Sequence, residues 1–168
     1  QITEFMERWV SPSERAYYEA IEGSDDRHHR PAILEELKAV ARGAGLWNLF
    51  LPDRAHGPGL SNLEYAPLAA IMGRVLWASE VFNCSAPDTG NMEILAQYGT
   101  PEQKAQWLEP LLEGKIRSGF SMTEPMTPGS DPTQLKTRAV RDGGAYVITG
   151  RKWFTTCAMH ARVLLVMA

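Results

Sequence analysis

The residue pattern changes abruptly at Gly114, and this change constrains the fold more than any other feature of the sequence. Before Gly114, apolar residues recur at the spacing of one face of a helix. After it, short segments alternate between apolar and polar residues, as half-buried strands do. The residues Arg-Asp-Gly-Gly at 141–144 separate two of these segments and favour a hairpin turn. We therefore predict an α+β chain, with a helical domain at residues 1–117 and the start of an antiparallel, barrel-like β domain at 118–168.

Two helix start signals support the helical assignment. Ser61 is followed three residues later by Glu64, and Thr100 is followed by Pro101 and then Gln103, so each site can form a capping box. The first signal predicts a helix from Ser61 to about Ala78. Apolar residues fall on most faces of that helix, which predicts a central, buried position.

Composition excludes several classes of function. The chain has 168 residues and a net charge of −3, and no block of basic residues indicates a nucleic-acid surface. No apolar run approaches the roughly 20 residues needed to span a bilayer. The four scattered histidines and two cysteines do not form a metal-binding pattern. The apolar run at 161–168 needs partner strands, so we expect the chain to be the N-terminal part of a longer protein.

The stretch "GFSMTEPMTPGSDPTQL" at 119–135 is too rich in proline and glycine for a helix. Its hydroxyls could converge on a polar heterocycle or a phosphate, and its prolines would lower the entropy cost of binding. The alternative is a bulge or an edge turn that binds no ligand.

The stretch "GRKWFTT" at 150–156 places two aromatic residues beside two hydroxyls. An aromatic ring can stack on a planar ligand, and a threonine can donate to a ring nitrogen or a carbonyl. The alternative is that Trp153 and Phe154 belong to the core.

Together, "FSMTEPMTPGSD" and "YVITGRKWFTT" resemble the signature of the acyl-CoA dehydrogenases. The helical portion is similar to the same family over nearly the whole chain, and "LWNLFLP" and "NCSAPDTGNME" most resemble the subgroup of members ten and eleven, which handle long or branched chains. The resemblance implies a helical N-terminal domain, a β middle domain and a C-terminal helical domain, of which this chain holds the first and the beginning of the second. It also implies FAD as cofactor and an acyl-CoA as substrate.

The resemblance assigns roles to particular residues. The residues implied in cofactor binding are Phe120, Ser121, Met122, Thr123, Gly129, Ser130, Phe154, Thr155 and Thr156. The residues implied in substrate binding are Ser130, Phe82, Ser85 and Asn91, and for the last three ordinary helix packing is the alternative. The sequence departs from the common family pattern in two places: the loop from Pro125 to Ser130 is one residue longer, and Phe154 stands where many members have tryptophan.

The implied reaction removes the α-proton of the thioester while the β-hydride passes to the flavin. The family's base is a carboxylate of the C-terminal domain, so no catalytic residue is assigned here, and we expect Glu124 to hold its turn by accepting amide hydrogen bonds. The resemblance further implies electron transfer to an electron-transferring flavoprotein and a dimer or tetramer. We expect the protein in the bacterial cytoplasm, or in a mitochondrion or peroxisome if it is eukaryotic. A flavin monooxygenase, an acyl-CoA oxidase and a non-catalytic interaction module are the alternatives.

Overall fold

The computed structural model describes residues 1–26 and 28–168, and it divides into two compact units, residues 1–99 and 100–168. Among the described residues, helices dominate the first unit, and all four strands lie in the second. The predicted α+β class, a helical portion followed by the start of a sheet domain, is therefore confirmed. The compact units divide after Gly99, which is a division by contacts and not a domain boundary. The predicted domain boundary at 117/118 therefore stays a prediction.

The first unit contains six α-helices among its described residues. They are α1 Ile2–Phe5, which continues through a π-helical turn Met6–Val10 into α2 Ser11–Glu22, then α3 Ala32–Gly43, α4 Asn62–Met72, α5 Ala78–Val81 and α6 Asp88–Tyr98. Pro12 lies at the start of α2, directly after the π-helical turn, so the chain passes this residue, which has no N–H, where the helix changes its hydrogen-bond pattern.

Apolar residues at helical spacing build the core of this unit. In α3, Leu34, Leu37 and Ala41 are all buried and fall on one face. The rings of Phe5 and Phe82 meet edge to face with centroids 5.2 Å apart, and the side chain of Phe82 is fully buried. Edge-to-face packing of this kind is a favourable arrangement for aromatic pairs.

Helix α4 begins as predicted but differs from prediction in length and burial. The capping box is present, because the Glu64 N–H donates to the Ser61 hydroxyl and the Ser61 N–H donates to the Glu64 carboxylate. The helix ends at Met72 rather than near Ala78, because the chain turns at Gly73. The prediction of a buried helix was wrong for this structure: Met72 is its buried residue, and Leu63 is 85% exposed. An apolar composition shows which side chains favour burial, whereas their burial depends on what packs against them.

The second unit begins with a helical segment and continues as strands. Its elements are α7 Pro101–Gln103, a π-helical turn Lys104–Leu108, α8 Glu109–Leu112, β1 Arg117–Ser121, a short 3-10 helix Pro132–Gln134, β2 Arg138–Asp142, β3 Ala145–Thr149 and β4 Ala161–Val166. The second predicted capping box, between Thr100 and Gln103, is confirmed. Gly114 ends the helical segment with a positive φ of 68°, which glycine adopts without steric cost.

The strands form two pairs. β2 and β3 make the predicted antiparallel hairpin, with Asp142 opposite Ala145 and Gly143 at a φ of 58° in the turn. β1 and β4 pair in parallel, which corrects the prediction of antiparallel pairing for this part of the domain. Parallel pairing needs a long crossover, and the segment between the two strands, which includes the hairpin, provides it. The alternating pattern that predicted these strands carries no information on their relative direction.

Residues 1–26 and 28–168 contain neither a membrane-spanning helix nor a cluster of metal-ligating side chains. No helix in these ranges is long and apolar enough to cross a membrane. Nor do these residues bring three or more histidine, cysteine, aspartate or glutamate side chains together as a metal site would require.

Candidate functional site

The two segments that the sequence singled out lie side by side. Phe120 and Thr156 form an antiparallel β-bridge, and the Trp153 N–H donates to the Thr123 carbonyl oxygen at 3.1 Å. The hydroxyl oxygens of Ser121 and Thr155 are 3.0 Å apart and share a hydrogen bond. All three contacts fit one antiparallel register. We refer to residues 120–123 and 153–156 together as the paired edge.

β4 holds the other edge of β1. Phe120 pairs with Leu165 of β4 as well as with Thr156, so β1 lies between the two. The Met167 N–H donates to the Ser121 carbonyl at 3.0 Å. A Cβ at Gly119 would lie 3.0 Å from the Thr156 carbonyl oxygen and 2.5 Å from a methyl group of Leu164, so glycine permits this close approach. The sequence around residue 119 thus allows three backbone segments to meet.

The paired edge presents an aromatic surface. Phe154 is 77% exposed and Trp153 is 44% exposed, and their ring centroids lie 4.6 Å apart. Neither ring is in the core of the described residues, in contrast to the alternative considered from the sequence. Phe154 also has a positive φ of 51°, which is uncommon for a bulky side chain. A strained, exposed aromatic residue of this kind is a candidate for ligand contact.

Two hydroxyls on the paired edge remain available. Those of Thr123 and Thr156 make no hydrogen bond with any residue that the structure describes, whereas the Ser121 and Thr155 hydroxyls satisfy each other. Thr123 is half-buried and Thr156 is exposed. The structure therefore separates two structural hydroxyls from two that can bind a ligand.

The loop that follows Thr123 folds back onto it. A Cβ at Gly129 would lie 3.7 Å from the Thr123 methyl group, so residue 129 is adjacent to the paired edge. Ser130, the next residue, is exposed, and Met122 is half-buried. Of the predicted cofactor-binding residues, Gly129 is thus brought next to the edge, and Ser130 follows it directly.

Glu124 closes this loop, as the sequence interpretation expected. Its buried carboxylate accepts hydrogen bonds from the Lys136 N–H at 2.7 Å and from the Thr137 N–H and hydroxyl at 2.8 and 2.6 Å. The Thr137 hydroxyl is the main cause that lowers the pKa of Glu124 far below its ordinary value, and the backbone amides and Lys152 act in the same direction. Glu124 is therefore ionised and committed to structure, which confirms that it holds the turn.

Sequence reasoning missed Lys152, Thr137 and Gly150. The Lys152 ammonium donates to the Glu124 carboxylate and to the Met122 carbonyl oxygen, each at 2.9 Å. A Cβ at Gly150 would overlap the Thr137 side chain, so glycine permits Thr137 to reach Glu124. The sequence does show that Glu124 and Lys152 have opposite charges. Because 28 residues separate them, however, the sequence gave no reason to pair them.

A cavity of about 240 Å³ opens beside the loop. Its lining residues are Glu124, Pro125, Met126, Thr127, Lys136 and Arg151. The Thr127 hydroxyl donates to Glu124 at 3.3 Å, so the cavity shares a wall with the Glu124 cluster.

The three predicted substrate residues of the helical portion lie in the first unit. Phe82 and Asn91 are buried, and Ser85 is half-buried with its hydroxyl 3.3 Å from the Ala86 carbonyl oxygen. Next to them, Asn83 donates from its side-chain amide to Asn48 at 2.7 Å, and both asparagines have positive φ angles, of 53° and 52°. This buried asparagine pair fixes the backbone that carries Phe82 and Ser85.

Comparison with known protein families decides the assignment. Residues 1–115 match the acyl-CoA dehydrogenase N-terminal domain, and residues 119–168 match the acyl-CoA dehydrogenase middle domain. The chain belongs to the acyl-CoA dehydrogenase family. The resemblance that the two motifs carried is thereby confirmed, and the paired edge belongs to the region matched by the middle domain.

Individual family members agree with this assignment. The chain is 49% identical over 170 residues to mouse acyl-CoA dehydrogenase family member 10. A solved structure of an acyl-CoA dehydrogenase from Mycobacterium abscessus is 51% identical, with a TM-score of 0.90 over 98% of this chain. A glutaryl-CoA dehydrogenase from Mycobacterium smegmatis, solved in complex with FADH2, shares the fold at 23% identity and a TM-score of 0.72, also over 98% of this chain.

This acyl-CoA dehydrogenase chain spans only part of those proteins. The match covers 98% of this chain but 16% of the mouse protein, and it covers 43% of the M. abscessus chain and 39% of the M. smegmatis chain.

Proposed function

We propose that the protein to which this chain belongs is an FAD-dependent acyl-CoA dehydrogenase that converts an acyl-CoA thioester to its trans-2-enoyl product. The observation that carries the proposal is the paired edge, which in one antiparallel register carries an exposed aromatic ring and two hydroxyls that make no hydrogen bond with the described residues. Family membership supplies the reaction class.

The residues present fit a flavin. An isoalloxazine ring is planar, with one polar edge of nitrogens and carbonyls, so it needs a stacking surface and donors beside it. Phe154 offers the surface, and the Thr123 and Thr156 hydroxyls offer the donors. The FADH2 complex of the glutaryl-CoA dehydrogenase from M. smegmatis, a protein of the same fold, supports the choice of cofactor. When bound, the flavin supplies hydride chemistry that no amino-acid side chain can perform.

This chain's own part in the reaction is to bind and orient. Thr123 and Thr156 would hold the polar edge of the ring, and Phe154 would fix its plane. Ser121 and Thr155 hold the two segments together through their shared hydrogen bond. Gly129 and Ser130 would approach the phosphate portion of the cofactor, and Ser130 the CoA portion of the substrate.

Glu124 does not act as the base in this proposal. Its carboxylate accepts hydrogen bonds from Lys136, Thr137 and Lys152 on its two oxygens, so a proton from substrate would have to displace a donor that is already bound. Its lowered pKa also makes it a weak base. We assign the base to the C-terminal helical domain of the complete protein.

The substrate is proposed to be a long or branched acyl chain. The similarity to family member 10 supports that subgroup, and Phe82, Ser85 and Asn91 would line the acyl tail. We further propose an electron-transferring flavoprotein as electron acceptor, a dimer or tetramer, and the bacterial cytoplasm, or a mitochondrion or peroxisome in a eukaryote, as the location.

The test is to purify the full-length protein, record its visible spectrum, and screen acyl-CoA thioesters of graded length and branching with an artificial electron acceptor. A yellow protein whose flavin is bleached by an acyl-CoA without oxygen supports the proposal. Rapid reaction of the reduced flavin with oxygen would instead indicate an oxidase or a monooxygenase. A colourless protein that FAD cannot reconstitute would contradict the proposal and favour a non-catalytic module.

A further inference from the structure

Lys152 and Glu124 form a buried ion pair that adjoins the paired edge. The side chain of Glu124 is 4% exposed and that of Lys152 is 12% exposed, and their charged atoms lie 2.9 Å apart. Burying two charges is costly unless other groups satisfy them. Here the Glu124 carboxylate is satisfied by Lys136 and Thr137, and the Lys152 ammonium by the Met122 carbonyl oxygen.

The second hydrogen bond of Lys152 links the two halves of the paired edge. Met122 belongs to the first segment, and Lys152 directly precedes the second. In the register set by the Phe120–Thr156 bridge, Met122 lies opposite Phe154. The Lys152 ammonium therefore holds the backbone at Met122, which lies next to Thr123 in the chain and opposite Phe154 across the paired edge.

The geometry points to Lys152 and Glu124 as positioning residues that hold Thr123 and Phe154 in place toward the flavin, an inference that rests on the proposed function. Binding constellations must be held within about 0.5 Å of the productive geometry by neighbours that are themselves fixed. Glu124 fixes Lys152, and Lys152 fixes the Met122 carbonyl. Neither side chain needs to touch the flavin to affect its binding.

Removing the ammonium should separate this role from simple stability. Without Lys152, Glu124 keeps its bonds to the Lys136 N–H and to the Thr137 N–H and hydroxyl, so the loop retains its closure. The Met122 carbonyl, in contrast, loses the Lys152 donor. Because the buried Glu124 charge also loses its cation, the variant should be less stable, and the defect that marks a positioning role is the altered placement of the paired edge.

The experiment uses the full-length enzyme with Lys152→Met, Lys152→Arg and Glu124→Gln. The matched control is Lys38→Met, because Lys38 is a lysine of the first unit whose side chain is 7% exposed and pairs with Glu35 at 3.0 Å. The readouts are the Kd for FAD from flavin fluorescence, the visible spectrum of the bound flavin, and the thermal midpoint.

We expect Lys152→Met to raise the Kd for FAD about tenfold, the effect of losing one charge-assisted hydrogen bond, and to change the flavin spectrum. Lys152→Arg, which keeps the charge, should restore most of the affinity. Lys38→Met should lower the thermal midpoint without changing the Kd or the spectrum.

A Lys152→Met enzyme with the wild-type Kd and spectrum, however unstable, would overturn the inference while the proposed function stood. If Lys152→Met does not fold, Glu124→Gln decides the matter: an unchanged Kd and spectrum in that variant overturn the inference, and a weakened, spectrally altered complex supports it. A wild-type enzyme that binds no FAD would overturn the proposed function and this inference with it.

Discussion

The hydroxyl oxygens of Ser121 and Thr155 lie 3.0 Å apart, across two segments separated by 34 residues of chain. This contact stands between the Phe120–Thr156 bridge and the hydrogen bond from Trp153 to Thr123, and it uses the hydroxyls that face each other. Thr123 and Thr156 are left with their hydroxyls available. The division of four hydroxyl residues into two that bind each other and two that can bind a ligand is the structural basis of the proposed flavin site.

Glu124 should make the free energy of unfolding depend on pH in the acid range. Its pKa is lowered in the folded state, chiefly by the Thr137 hydroxyl, so ionised Glu124 favours folding. This contribution is fully present above the ordinary glutamate pKa of about 4.3 and is lost as the pH falls below it towards the folded-state pKa. Urea unfolding of wild type and Glu124→Gln across this range measures it: the variant should be less stable at neutral pH, and the difference should shrink with acid. If the stability difference between wild type and Glu124→Gln does not change with pH, ionised Glu124 does not stabilise the fold.

Phe154→Ala should weaken FAD binding by about two- to tenfold, since aromatic stacking contributes about 0.5–1.5 kcal/mol beyond area burial. Phe154→Trp keeps a stacking surface and restores the residue common in the family, so it serves as the matched control and should bind at least as tightly as wild type. Titration of the apoprotein of the full-length enzyme with FAD gives both constants. Equal affinity in Phe154→Ala and wild type would remove Phe154 from the flavin site.

Asn83→Ala should destabilise the protein by about 1–3 kcal/mol, because the buried Asn48 side chain loses a donor at 2.7 Å. Alanine also tolerates poorly the positive φ of 53° at this position. Asn83→Gly loses the same hydrogen bond but accepts the backbone angle, so its urea midpoint should lie between those of wild type and Asn83→Ala. A glycine variant as unstable as the alanine variant would show that the hydrogen bond alone matters.

Ser85→Leu should shorten the preferred acyl chain, because leucine adds bulk at a half-buried position that we propose lines the acyl tail. The measurement is kcat/KM over a series of straight-chain acyl-CoA thioesters. Ser79→Leu makes the same change at another half-buried serine of the first unit and should leave the profile unchanged. If both variants keep the wild-type profile, Ser85 does not line the pocket.

Local features were predictable from the sequence where the cause is itself local. The capping boxes at Ser61 and Thr100 and the hairpin turn at Gly143 all depend on residues within a few positions of one another, and the structure confirms them. The two motifs of the paired edge were recognisable for a similar reason, since each is a short run of residues of unusual composition.

Other features required the tertiary structure. The exposure of α4 depends on which segments pack against it, and the parallel direction of β1 and β4 depends on the path of the crossover between them. The roles of Lys152, Thr137 and Gly150 arise because residues 124, 137, 150 and 152 converge in space.

The sequence by itself determined the class of fold, the family and the two segments that carry the candidate site, because periodicity, caps and motifs are properties of neighbouring residues. Only the tertiary structure decided which hydroxyls are available, which aromatic rings are exposed, and which charges hold the site in place. These are consequences of contacts between residues far apart in the chain, and a linear pattern does not specify the distance or direction of such contacts.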